Sequence, residues 1–156
     1  MAVNPETAHR TVGAANPPQL RAIHIAILSQ MAQAWSELHQ LDQAGQWLES
    51  ALTAAREWDD PAGQVKLAGL LNDRGVLLLR QQRYPEAEAI LREALDRVRR
   101  LFGDDHPRVI VIYGNLAGAI RQQGGEDKLA ASLPFYERAR ELAIERYGSD
   151  HTQSVA

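Results

Sequence analysis

Gly-Asp-Asp-His-Pro, residues Gly103 to Pro107, returns as Gly-Ser-Asp-His at Gly148 to His151, each time after a helical segment marked by alanines. Self-similarity at a period of about 40 to 45 residues is the mark of a helical repeat array. A unit of that length makes one helix pair, which buries its apolar side only by stacking on the next copy. The fold class therefore follows from the repetition before any single site is considered.

Small residues set the register. Ala32, Gly75 and Ala117 occupy one equivalent position, Ala44 and Ala87 a second, and Ala51, Ala94 and Ala139 a third. Large apolar residues fall at fixed offsets from them. Leu28, Leu71 and Tyr113 come one turn before the first small residue, Trp35, Leu78 and Ile120 follow it, and Leu48, Leu91 and Tyr136 precede the last alanine. Small residues let two helix axes approach, and large ones fill the grooves on either side.

The stretch Leu-Asn-Asp-Arg-Gly at Leu71 to Gly75, continuing to Ala94 and Leu95, is followed by Leu-Phe-Gly-Asp-Asp-His-Pro. With Tyr-Gly-Asn-Leu-Ala at Tyr113 to Ala117 and Phe-Tyr-Glu-Arg-Ala at Phe135 to Ala139, it resembles the tetratricopeptide repeat in the longer form of the kinesin light chain. The resemblance covers roughly residues 20 to 151. It implies an all-α fold, an α-solenoid of three antiparallel helix hairpins wound into a superhelix, with repeats at about 18–58, 61–103 and 107–148. Residues 1–16 are then a flexible lead-in, 17–151 the repeat domain and 152–156 a tail.

Two departures from the family pattern stand out. Arg74 occupies a position that is usually an apolar core residue, so its side chain is expected to be solvated or paired with an acidic neighbour. The third repeat carries about three extra residues within Gly124 to Ser132, which predicts a longer, looser hairpin turn.

Prolines mark the helix starts. Asn16 to Pro18, Asp60 with Pro61, and His106 with Pro107 each read as a cap followed by a first-turn proline. Six helices are expected, at about 18–39, 42–57, 61–82, 85–101, 107–123 and 129–147, with Pro134 near the effective start of the sixth.

Composition fits this reading and excludes others. In 156 residues the hydrophobic fraction is 45% and the net charge is −3, so the chain can form a core and carries no basic field for nucleic acid or anionic lipid. There is no cysteine, which removes disulfides, thiolate metal sites and cysteine catalysis. The N-terminus lacks a charged start followed by an apolar run, and no stretch approaches a membrane span, so no membrane partner is expected and the expected location is cytoplasmic. His9, His24, His39, His106 and His151 are scattered, with none paired at one-turn spacing, and Gly124 and Gly125 lack a phosphate-binding pattern. No enzyme activity, metal or cofactor is expected.

Function then lies on the surface. The resemblance implies that the first helix of each hairpin lines a concave groove, at positions that here carry Gln33, then Asn72, Asp73, Val76 and Arg80, then Asn115, Gly118, Arg121 and Gln122. Amide side chains can hydrogen-bond the backbone of an extended peptide whatever its sequence. The expected role is thus a protein-interaction module that binds a peptide or protein segment. The Lys and Asn clamp that chaperone-binding members use for a C-terminal carboxylate is missing, which disfavours chaperone tails. A second expectation is a self-associating scaffold, such as a homodimer, because the sixth helix carries Phe135, Leu142, Ile144 and Tyr147, more apolar groups than one covered side requires.

Overall fold

The computed structural model describes residues 17–148; the expected lead-in at 1–16, the tail at 152–156 and the His151 copy of the turn lie outside the described residues. Within them the chain is all α, with six helices and no strand. They are α1 (Pro18–Glu37), α2 (Leu41–Arg56), α3 (Pro61–Arg80), α4 (Tyr84–Phe102), α5 (Pro107–Arg121) and α6 (Glu126–Tyr147). The described residues divide into two compact units, 17–81 and 82–148.

In the first unit α2 is the middle layer, packed on α1 and on α3. The reason lies in its composition: Ala44, Gly45, Ala51 and Ala55 are buried beside Trp47, Leu48 and Leu52, so both neighbours can approach closely. From α1 come Ile25, Leu28 and Ala32, and from α3 come Leu67, Leu70, Leu71, Leu77 and Leu78. Pro61 opens α3 at its first turn, where no N–H is required, and the Asp60 carboxylate caps it by accepting from the Gly63 N–H at 2.9 Å.

In the second unit the middle layer is α5, packed on α4 and on α6. Val109, Ile112, Leu116, Ala117, Ala119 and Ile120 are all buried along it, against Ala87, Leu91, Ala94, Leu95 and Val98 of α4 and Leu142 of α6. Pro107 opens α5, and the His106 imidazole caps it through Nδ1, which accepts from the Arg108 N–H at 3.2 Å. Gly103 and Gly148 close α4 and α6 at φ 85° and 80°, a left-handed conformation that explains why both copies of the repeated turn begin with glycine.

The last hairpin departs from expectation in where most of the extra residues go. Its turn, residues 122–125, is one residue longer than those at 38–40 and 81–83, and the rest of the insertion is taken up by α6, which starts at Glu126 and runs 22 residues against 16 for α2 and 19 for α4. Pro134 accordingly lies inside the helix rather than near its start. Ser132, two residues earlier, is fully buried, and its hydroxyl donates to the Leu129 carbonyl at 2.7 Å. It occupies the position equivalent to Ala44 and Ala87, the small-residue site that the alanine pattern left empty in the third repeat.

Candidate functional site

Between α1 and α3 of the first unit lies an open cleft of about 330 Å³. About two turns each of α1 and α3 form its walls, and α2 forms its floor through Ala44 and Leu48. Gln33 and Glu37 project from α1, with the Gln33 amide donating to the Glu37 carboxylate at 3.1 Å. Asp73, Val76, Leu77 and Arg80 project from α3. Four residues expected to line the groove, Gln33, Asp73, Val76 and Arg80, are thus brought to one surface.

The cations around this cleft are committed to the fold. Arg80 donates to the Ser36 hydroxyl and, at 3.0 Å, to the Ser36 carbonyl near the C-terminus of α1, so its guanidinium ties α3 to α1. Arg74 is paired through Nε with Glu49 at 2.9 Å, which settles how the chain accommodates an arginine at a position expected to be apolar. Glu37, which accepts from Gln33, and Asp73 also stand at the cleft. Asn72 is half-buried and does not line the cleft.

In the second unit Asn115 and Gly118 are half-buried on α5, and Arg121 and Gln122 are exposed at its C-terminal end. On α6 the residues expected to mediate self-association separate. Leu142 is buried in the core of its own unit, Phe135 and Ile144 are half-buried, and Tyr147 is exposed. The exposed apolar groups of α6 include Leu129, Leu133 and Tyr136 as well. Among the described residues no group of three or more His, Asp or Glu side chains could hold a metal ion, and no helix is long and apolar enough to cross a membrane.

Comparison with known proteins agrees with this geometry. The family model for the tetratricopeptide repeat matches residues 66–130. Residues 66–130 are thus similar to tetratricopeptide repeats. Among solved structures it is similar to BtubC (BKLC) from P. vanneervenii, with a TM-score of 0.73 and 22% identity over 90% of this chain and 53% of that one. It is also similar to a putative kinesin light chain of Podospora anserina with nearly identical TPR-like repeats, with a TM-score of 0.69 and 14% identity over 93% of this chain and 64% of that one. At those identities the likeness is one of fold, an all-α helical repeat. A curated relative, the RxLR effector protein SFI4 of Phytophthora infestans (strain T30-4), is 36% identical over 52 residues, which is 33% of this chain and 15% of that protein. The chain therefore spans about half to two thirds of the solved structures it matches and a small part of the curated relative. Tetratricopeptide repeats generally serve as protein–protein interaction modules, presenting surfaces built from successive helices.

Proposed function

We propose that this chain is a peptide-binding tetratricopeptide module whose first unit takes an extended segment of a partner protein in the cleft between α1 and α3. The observation that carries this reading is the make-up of the cleft: a floor of small and aliphatic groups at Ala32, Ala44, Leu48 and Leu77 under a rim of amide and charged groups. Such a floor accepts an apolar side chain, while the rim fixes a backbone by hydrogen bonds. Glu37, Asp73 and Arg80, the last bound to Ser36, supply the charged groups of that rim. Asn72, Asn115, Gly118, Arg121 and Gln122 are proposed to extend the binding surface. The role involves no catalytic step and no cofactor, and the cytoplasm is the proposed place of work. No role on nucleic acid is proposed, given the net charge of −3.

The test is selection of binders from a displayed library of random peptides, followed by titration calorimetry. Val76→Arg, at an exposed wall of the cleft, is expected to weaken a selected peptide at least ~10-fold by filling the space while leaving the helical spectrum unchanged. Peptides that bind Val76→Arg as tightly as the parent would overturn the assignment of the cleft.

A further inference from the structure

We propose that copies of this chain associate head to tail, the outer face of α6 in one copy packing on the outer face of α1 in the next. The basis is an interface type that the chain already makes twice. In the first unit α2 packs on α3, and in the second α4 packs on α5, each time the second helix of one repeat against the first helix of the following repeat. The face used by the following helix is defined by the repeat register. It carries Leu67, Leu70, Arg74 and Leu77 on α3 and Val109, Ile112, Leu116 and Ala119 on α5, all buried except Arg74, which is paired with Glu49 of α2. The equivalent positions on α1 are His24, Ile27, Met31 and Ala34, and there Ile27 is 54% exposed. Leu20, Ile23 and Leu38 add further exposed apolar groups to the same helix and its end.

The complementary face shows the same contrast. Positions held by Leu48 and Leu52 on α2, and by Leu91 and Leu95 on α4, are buried. Their counterparts on α6 are Tyr136 and Arg140, both exposed, and one turn earlier stands Leu133 at 51% exposure. At one contact the two faces can be compared side chain by side chain. Within the second unit Gln123 donates to Glu88 at 2.6 Å, a polar pair across the α4–α5 interface. The residue equivalent to Gln123 is Leu38 on α1, and the residue equivalent to Glu88 is Leu133 on α6. In the first unit the equivalent pair is Gln81 with Gly45, so each interior contact carries a polar group on at least one side, whereas the two outer faces are apolar on both. Apolar groups at matching positions let these two faces meet without burying a polar group. The inference concerns surfaces distinct from the proposed peptide cleft, and its outcome does not depend on that reading.

Because the contact joins two different faces, it is heterologous, and each copy keeps one unused face of each kind. Light scattering on the eluting protein across a wide concentration range tests it. The parent is expected to show a weight-average mass that rises with concentration past twice 17.3 kDa. Ile27→Asp and Leu133→Arg, each alone, are expected to remain at 17.3 kDa, while their equimolar mixture forms a species of twice that mass and no larger, because one variant keeps an intact α6 and the other an intact α1. A parent that stays at 17.3 kDa at every concentration, as it would if other chain segments covered these faces, overturns the proposal. So does an Ile27→Asp variant that dimerises by itself, which would mean a symmetric α6 contact. Should either variant lose its helical spectrum, Leu38→Asp and Leu129→Arg, at other strongly exposed positions, give the same readout.

Discussion

Arg74 Nε lies 2.9 Å from Glu49 Oε1, joining α3 to α2 at a point where the guanidinium is only 15% exposed and the carboxylate 50%. Gly45 makes room for it: a Cβ built there would sit 3.2 Å from Arg74 Nη1. Glu49→Ala leaves a largely buried cation without its carboxylate and is expected to cost about 1 to 2 kcal/mol, between the values for exposed and buried pairs. Arg74→Leu removes the charge as well and is expected to be neutral or stabilising, because an apolar side chain of similar volume needs no partner. Urea denaturation of both variants checks the ordering. A larger loss for Arg74→Leu than for Glu49→Ala would show that the guanidinium contributes more than occupancy of the seam.

How much of this was legible before the structure depends on which signal was local. Proline at a first turn acts on its own helix alone, so Pro18, Pro61 and Pro107 located three helix starts to the residue. The alanine register likewise identified Leu28, Leu71, Leu48 and Leu91 as core, and all four are buried. The same register failed at Tyr136, which is 37% exposed at the position of Leu48 and Leu91, because burial there depends on a neighbouring helix and not on the residue itself. Ser132 escaped notice because its small size, not its hydroxyl, is what the site uses. In the candidate site, four of the expected groove residues share a cleft, but no pattern in the sequence shows that Arg80 is spent on Ser36 or Arg74 on Glu49, since both pairs join residues more than 20 positions apart.

The start of α3 is the tightest point in the first unit. A Cβ on Gly63 would fall 1.8 Å from the Trp58 carbonyl oxygen, and the same turn is held by Asp60, which accepts from both the Gly63 N–H and the Trp58 indole N–H, the latter at 2.6 Å. Gly63→Ala must displace backbone and is expected to cost about 3 kcal/mol, the upper end of overpacking. The hydrogen bond from Gly63, then that from Trp58, holds the Asp60 carboxyl below its ordinary value against the opposing effect of burial. Asp60 therefore contributes stability that is present above the ordinary carboxylate range and is lost as pH falls through the lowered folded value. Asp60→Asn, which keeps one acceptor, is expected to lose less than Asp60→Ala in thermal denaturation at pH 7, and both should show a flatter acid limb than the parent.

His106 caps α5 only while neutral. Its Nδ1 accepts from the Arg108 N–H, its ring stacks on Phe102 with centroids 4.5 Å apart, and a proton on Nδ1 would turn the acceptor into a donor. Burial, then the positive charges of Arg108 and Arg146, hold its pKa below the ordinary imidazole value of 6.5. The unfolded chain then takes up the proton first, so the contribution is intact above pH 6.5 and declines as pH falls below it. Denaturation midpoints of the parent are expected to drop between pH 7 and pH 5, whereas His106→Asn, which keeps a capping oxygen, should be flat over that interval. Equal slopes for the two proteins would remove His106 as the source.

Ser132 separates size from hydrogen bonding in the last repeat. Ser132 stands two residues before Pro134, whose ring removes an N–H from the ladder, and its Oγ donates to the carbonyl of Leu129, three residues earlier in the same helix. A hydroxyl bonded to a carbonyl of its own helix adds little, because that carbonyl already has a helical partner within reach. Ser132→Ala restores the residue found at Ala44 and Ala87 and is expected to change stability by less than about 1 kcal/mol. Ser132→Leu places a large side chain at a site with no exposure and should cost on the order of 2 to 3 kcal/mol by forcing α6 away from α5. Hydrogen exchange on the amides of α5 and α6 distinguishes the two outcomes from a general loss of helix. Faster exchange confined to this pair in Ser132→Leu, with Ser132→Ala unchanged, is the pattern that a small-residue contact requires. Comparable loss in both variants would instead assign the site to the hydroxyl.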